Sequence, residues 1–238
     1  MASRMVIGDL EVEVLRKDIK NVHLSVLPPT GKVRIAAPAH IKTDTLRVYV
    51  VSRLHWIRQQ QKKLCGQERE TPRDYIERES HYVWGKRYLM TLVEKDAPPR
   101  IELTHRKLVF QIRPSTSKEK REAILAQWYR DQLRESVPPL IARWEPMLEV
   151  EVRRFYVQHM KTKWGGSSPD RRTIRLNTEL AKKPPECLEY LVVHEMVHFL
   201  EPTHNDRFVA LMDRFMPNWR SRRDLLNSLP VRHEEWRY

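Results

Sequence analysis

The run "YLVVHEMVHFLEPTHNDRF" (residues 190–208) is apolar along most of its length, and from Tyr190 to Leu200 only His194, Glu195 and His198 are strongly polar. Pro184-Pro185 suits the first turn of a helix, where a missing N–H costs nothing, and Pro202 is placed to end it. The spacing therefore predicts a helix over 186–200. A helix that is apolar on nearly every side belongs in a core. A carboxylate and two imidazoles buried there without partners would be strongly destabilising, so something must satisfy them. A metal ion does so directly.

Residues 194 and 198 lie four apart, so their side chains stack on one helical face and both imidazoles can reach a single ion. Glu195, one position on, leaves that line yet stays close enough to take a proton from a metal-bound water. This is the H-E-x-x-H arrangement, in which bound zinc lowers the pKa of water to about 7 and the Glu acts as general base. A catalytic zinc takes three protein ligands and keeps a fourth position open. His204 is the candidate third ligand. It follows Pro202 and precedes Asn205, which can cap an amphipathic helix carrying Phe208, Leu211, Met212 and Phe215, so a reversal after Pro202 returns His204 over the first helix. Glu201, three positions after His198, competes for the role and reaches only if the helix frays. The expected centre is one Zn²⁺ per chain on His194, His198 and His204, with Glu195 as the catalytic base. A pair of core histidines bonded to backbone or to Glu195 would leave the helix break and the third imidazole unexplained. His23, His40, His55, His81, His105, His159 and His233 show no comparable spacing.

Composition narrows the classes open to this chemistry. The 238 residues are 40% hydrophobic and 32% charged, ordinary for a soluble globular protein. No run approaches the length of a membrane span, and "MASRMVIGDLEVEV" lacks the apolar core of a signal peptide, which leads us to expect a cytoplasmic protein with no membrane partner. Cys65 and Cys187 lack a CxxC partner, so plain thiols are expected rather than a disulfide framework or a thiolate cage. The formal net charge of +13 favours acidic partners. Much of it gathers beside the motif: Arg153, Arg154, Lys161, Lys163, Arg171, Arg172 and Arg175 stand against only Glu151 and Asp170 in residues 151–175. DNA is thus a candidate partner alongside a protein or peptide substrate, and the alternative to a free-standing peptidase is a DNA-associated protein in which zinc is structural or proteolysis is targeted to DNA-bound proteins. Trp219, Trp236 and Tyr238 near the C-terminus are expected to pack a terminal helix rather than to stack on bases.

Along the chain no internal repeat is apparent. Residues 11–15, 22–27 and 32–36 alternate apolar with polar and read as strands, the last two joined as a hairpin by "PPTG". Leu46, Val50, Leu54 and Ile57 then mark one helix, capped by Thr43 or Thr45, and the polar stretch 66–80 reads as a surface loop or linker. "HYVWGKRYLMTLVE" and "RIELTHRKLVFQIRP" suggest an antiparallel meander over 81–113. From Ser117 helical periodicity resumes, with a break expected at Pro138-Pro139. "VEVRRFYVQHM" and "RTIRLN" read as strands joined by a loop containing "WGGSSPD". The expected fold is α+β, with a β-rich part at 1–114 and a mixed domain at 115–238.

The runs "MKTKWGGSS" (160–168), "IRLNTEL" (174–180) and the opening stretch together resemble the YgjP-like metallopeptidase domain, which is related to the SprT-like and WLM zinc proteases. Members commonly read M-K-T-R-W-G-S-C, then I-x-L-N, then H-E-L-x-H with a His six residues further on. The likeness extends more weakly over the N-terminal strands and "LHWIRQQ", and so covers most of the chain. It implies a zincin-like metallopeptidase domain over 115–238, with His194, His198 and His204 as metal ligands, Glu195 as base, and the strand before "WGGSS" beside the cleft. SprT-like relatives act on proteins linked to DNA. Two positions depart from the pattern: Lys163 stands for the usual Arg, and Gly166-Ser167 for the usual Ser-Cys.

Overall fold

Alternating apolar and polar residues build two four-stranded sheets of one design. In the computed structural model, which describes residues 2–27, 30–65, 70–161 and 163–230, the first sheet comprises β1 (Ala2–Ile7), β2 (Leu10–Lys17), β3 (His23–Leu27) and β4 (Lys32–Pro38). Its order is β1-β2-β4-β3, two antiparallel hairpins joined through a parallel β2·β4 pair. Val12, Val14, Val33 and Ile35 point to one face, where Leu46 and Val50 of α1 (Thr43–Ser52) and Ile57 of α2 (Leu54–Cys65) complete a core. The single helix expected here is two, divided at Arg53.

The second sheet repeats the plan with β5 (Ser80–Val83), β6 (Lys86–Glu94), β7 (Arg100–Leu103) and β8 (Lys107–Ile112), ordered β5-β6-β8-β7 about a parallel β6·β8 pair. The expected meander is therefore corrected: each neighbouring hairpin is antiparallel, but the central pair is not. Each sheet opens on a hairpin whose turn contains a positive-φ glycine, Gly8 or Gly85, and each is followed by a helix. This duplication of topology is hidden in the sequence because it needs only apolar alternation and a turn glycine, not the same side chains.

The chain divides into the compact units Met1–Arg69 and Glu70–Arg232. The boundary expected near 114 thus falls inside the second unit. The reason is packing: Met90, Leu108, Phe110 and Ile112 of the second sheet share one apolar core with Leu125, Tyr129, Leu133 and Val137 of α3 (Lys118–Leu148) and with Val192, Val193 and Met196 farther along. A sheet whose buried face is covered by that helix cannot be a separate domain. Nor does α3 break at Pro138-Pro139. Both prolines lie on its exposed side, where water can serve the carbonyls that lose their N–H partners, while Leu133, Val137, Ile141, Trp144 and Leu148 keep the buried stripe continuous.

Trp84-Gly85, the β5–β6 turn, fixes the entry to the helix that carries the histidines. Trp84 N–H donates to Ala181 O (2.8 Å) and Gly85 N–H to Lys182 O (3.2 Å). Gly85 has φ +76°, and a Cβ there would stand 2.8 Å from Pro184 Cγ and 3.1 Å from Pro184 N. Gly85→Ala therefore combines backbone strain with a clash, and we expect a loss on the order of 2–3 kcal/mol in chemical denaturation. Gly8→Ala, at φ +59° with nothing within 4 Å, is expected to cost only the backbone part, about 1 kcal/mol. Among the described residues no helix is long and apolar enough to cross a membrane. Cys187 is a buried free thiol, its pKa pushed up to about 11 chiefly by burial. The side chain of Cys65 and residues 231–238, including His233, Trp236 and Tyr238, lie outside the description. Trp219 is buried at the start of α6 (Trp219–Ser228), as a packing residue.

Candidate metal centre

Helix α4 (Pro185–Val197) is buried along most of its length and carries His194 and Glu195 in its last turn, with His198 as its C-cap residue. It ends three residues earlier than the spacing predicts, because Phe199 N and Leu200 N turn back to Met196 O (3.0 Å) and Val197 O (2.9 Å) in a tightened final turn. The same turn orients His198. Its Nδ1 lies 3.0 Å from Glu201 O, and since a carbonyl only accepts, Nδ1 carries the proton and Nε2 is left with a free lone pair. The Glu201 carboxylate accepts from Thr203 N (3.1 Å) and Thr203 Oγ1 (2.8 Å), so it is spent on its own loop.

That loop delivers His204 and runs into α5 (Asp206–Phe215), capped by Asn205 Oδ1 accepting from Phe208 N (3.0 Å). Phe208, almost wholly buried, places its ring centroid 5.0, 4.7 and 4.7 Å from those of His194, His198 and His204. One aromatic floor thus supports all three imidazoles. Each offers a nitrogen, and the three nitrogens lie within 4.8 Å of one another. His194 Nε2 and His204 Nε2 are 3.1 Å apart. Two ligands at zinc–nitrogen distances of about 2.0–2.1 Å on a tetrahedron would be separated by roughly 3.3 Å, so the donor set fits one ion. Burial first, then the neighbouring imidazoles, drives the His194 pKa down to about 3, and burial also lowers that of His198. Neutral imidazoles are the form a cation binds.

Glu195 is 4% exposed, and burial pushes its pKa up to about 7 against the opposing pull of the Ser167 hydroxyl and the Lys163 charge. Its neighbours come from a three-stranded sheet, β9 (Arg154–Gln158), β10 (Gly165–Ser168) and β11 (Thr173–Asn177), in the order β10-β11-β9. The expected "WGGSSPD" loop is corrected here, since Gly165–Ser168 is an edge strand antiparallel to β11. Pairing overrides the low strand propensity of Gly-Gly-Ser-Ser. A Cβ on Gly165 would lie 2.6 Å from Glu195 Oε1, so glycine is what lets the strand and the acid approach so closely. Asn177 holds the approach to this strand: its Nδ2 donates to Met160 O (2.7 Å) and Lys163 O (2.8 Å), and its backbone N–H to Trp164 O (2.8 Å).

The profile of the YgjP-like metallopeptidase domain matches residues 20–229, most of the sequence. The chain belongs to the YgjP-like metallopeptidase family. A metal ion is therefore called for, and the group formed by His194, His198 and His204 can hold one. Among solved structures, this YgjP-like protein is similar to the crystal structure of the metallopeptidase zymogen of Pyrococcus abyssi abylysin, at 19% identity and a TM-score of 0.36, over 38% of this chain and 90% of that one. No curated protein matches the sequence. Of the basic residues singled out in sequence, Arg153, Arg154, Lys161, Lys163, Arg171 and Arg172 are exposed and Arg175 is half-buried. They do not form one group: Lys163 acts on Glu195, whereas Arg154 and Arg175 lie on paired strands of the β9–β11 sheet. Sequence spacing missed Gly165, Ser167 and Asn177 as parts of the site. The signals present were the Gly-Gly pair, which lets backbone come close to something, and the family pattern, which includes Asn177 in I-x-L-N and has Cys where Ser167 stands.

Proposed function

We propose that this YgjP-like protein is a zinc-dependent peptidase with a zincin-like centre, in which His194, His198 and His204 hold the ion and Glu195 is the general base. Bound there, zinc supplies Lewis acidity, lowering the pKa of a water to about 7 and polarising a carbonyl. The side chains do the rest. Glu195, buried beside the histidines, receives the proton of the attacking water on its carboxylate and returns it to the leaving amide nitrogen. The Ser167 hydroxyl donates to that carboxylate and holds it in place, the position at which a thiol is usual in the family. Phe208 keeps the imidazoles fixed and water away from their far side.

A substrate path follows from the register. The Asn177 N–H to Trp164 O bond makes Trp164·Asn177 a hydrogen-bonded pair, so Gly166 also faces β11, while the N–H and C=O groups of Gly165 and Ser167 point to the other edge. No strand pairs with that edge among the described residues. An extended peptide adding there would lie alongside Glu195. The observation that carries this reading is the meeting of three imidazole nitrogens within 4.8 Å, next to a buried acid. Purified protein is expected to contain about one zinc per chain by elemental analysis and to cleave members of an unstructured peptide library. Chelation should abolish cleavage and added zinc restore it. Cleavage that survives complete metal removal would end the assignment.

A further inference from the structure

The strands that build the wall of the metal centre have a second face, and it has no part in that chemistry. Phe155, Val157, Ile174 and Leu176 turn inward to the core, so the alternate residues of β9 and β11 lie on the other face, where Arg154 and Tyr156 are exposed and Arg175 is half-buried while Thr173 and Asn177 are covered. Across the sheet this sets Ser168, Thr173 and Arg154 in one row and Gly166, Arg175 and Tyr156 in the next. Tyr156 is 43% exposed in the middle of β9, and the Arg175 guanidinium carbon lies 5.9 Å from its ring centroid. On the far side of Arg175, Gly166 presents bare backbone, with nothing within 4 Å of where a Cβ would be. The result is an accessible strip, Gly166, Arg175 and Tyr156, with an exposed aromatic ring at one side. Cations rim it: Arg154 on β9, and Arg153, Arg171 and Arg172 at the same end, where Arg153 N–H bonds to Arg172 O. Glu151, 3.7 Å from Arg172, is the one carboxylate within ion-pair distance of these four among the described residues.

We infer that this face binds single-stranded nucleic acid. The ring and the charges are each common alone; the combination selects the ligand. Excess positive charge attracts any polyanion. An exposed ring at the side of the strip adds a stacking surface, which a base can use only when it is unpaired and splayed out. A duplex keeps its bases stacked on each other and would meet the arginines but not the ring. An acidic polypeptide would use the arginines and gain little from Tyr156. Tyr156 is therefore the residue that separates nucleic acid from other acidic partners.

The test uses the full chain and fluorescence anisotropy with a labelled oligothymidine of about twelve nucleotides, a length suited to such sheets. A duplex of equal length and a polyglutamate peptide serve as competitors. The single strand is expected to bind more tightly than either, with Tyr156→Ala weakening it about tenfold and Tyr156→Phe retaining it. Arg154→Ala should lower the magnitude of the log–log salt slope by about 0.7, the share of one phosphate contact to a single strand. Arg154→Glu, at an exposed position, provides an independent loss of binding should Tyr156→Ala fail to fold. Glu195→Gln should bind as wild type does, so that failure of the peptidase reading and failure of this one are separable. Absence of binding at low salt overturns the proposal. So does equal competition by polyglutamate, preference for duplex, or a folded Tyr156→Ala protein that binds as tightly as wild type.

Discussion

Glu195→Gln is expected to keep the metal and lose between about a hundredfold and ten-thousandfold of peptidase activity, the usual contribution of a positioned general base. Gln matches Glu in shape and can still accept from Ser167, so the histidines four residues apart on α4 keep their geometry. What disappears is the capacity to take up a proton. The same substitution has a signature in the metal-free protein that a mere packing role would not produce. Because burial lifts the Glu195 pKa from 4.5 to about 7, ionising it costs more in the folded than in the unfolded chain. The stability present below pH 4.5 is therefore lost as pH rises through 7, by about 3 kcal/mol if the whole shift is expressed. Gln has no charge to bury. Metal-free Glu195→Gln should thus be more stable than metal-free wild type at pH 8 and similar to it at pH 4.5, as measured by denaturant titration. Zinc should narrow the difference at pH 8, since a nearby cation favours the carboxylate. Wild-type activity in the variant would remove Glu195 from the reaction. An unchanged stability difference between the two pH values would show that the carboxyl is not held in a desolvated site.

Much of the centre was legible in sequence because its ingredients are local. His194 and His198 are tied by the helical repeat, and the Asn205 cap starts the next helix directly after His204; the helix end itself came earlier than Pro202 suggested, at the tightened turn after Val197. The two missing pieces are non-local. Nothing about "WGGSS" announces a strand, since its glycines and serines form β10 only by pairing with Thr173–Asn177. Likewise Ser167 stood out in sequence only as a departure from the family's usual Cys, and its partner, Glu195, is known only once the sheet brings the two together. The domain boundary failed for a related reason. Strand character gives way to helix near residue 114, but a unit is defined by which apolar faces meet, and Leu108, Phe110 and Ile112 share a core with α3. Pro138-Pro139 misled in the opposite direction: the sequence shows a helix breaker but not that both rings face water. The parallel centre of each sheet lay beyond reach as well, because alternation specifies a strand's faces and is silent on its neighbours.

Gly165→Ala should reduce activity by about a hundredfold while leaving the fold and metal content nearly intact, a separation that follows from what the new methyl would strike. Gly165 is in extended backbone within β10, so alanine meets no conformational penalty there, unlike at Gly85. The added Cβ falls 2.6 Å from Glu195 Oε1 and 3.2 Å from its Cδ, and 3.1 Å from Arg175 O. The carbonyl belongs to the β10–β11 ladder and resists movement, whereas the Glu195 side chain can rotate. The acid therefore yields, and relief of its clash is cheap in stability because a side-chain end moves, while the 3.1 Å approach to Arg175 O asks the ladder to give by only a few tenths of an ångström. Moving the acid is costly in rate, since a displacement of about 1 Å at a catalytic group can cost about a hundredfold. Gly166→Ala is the matched control: its Cβ meets nothing within 4 Å, and activity should stay at the wild-type level. The two variants add the same methyl to neighbouring residues of one strand. If both retain activity, Gly165 does not press on the base as the geometry requires; if both lose it, the damage is to the strand rather than to the position of Glu195. Only loss at 165 with retention at 166, measured as kcat on a cleaved peptide with zinc content checked in each sample, ties the edge strand to the acid across the cleft.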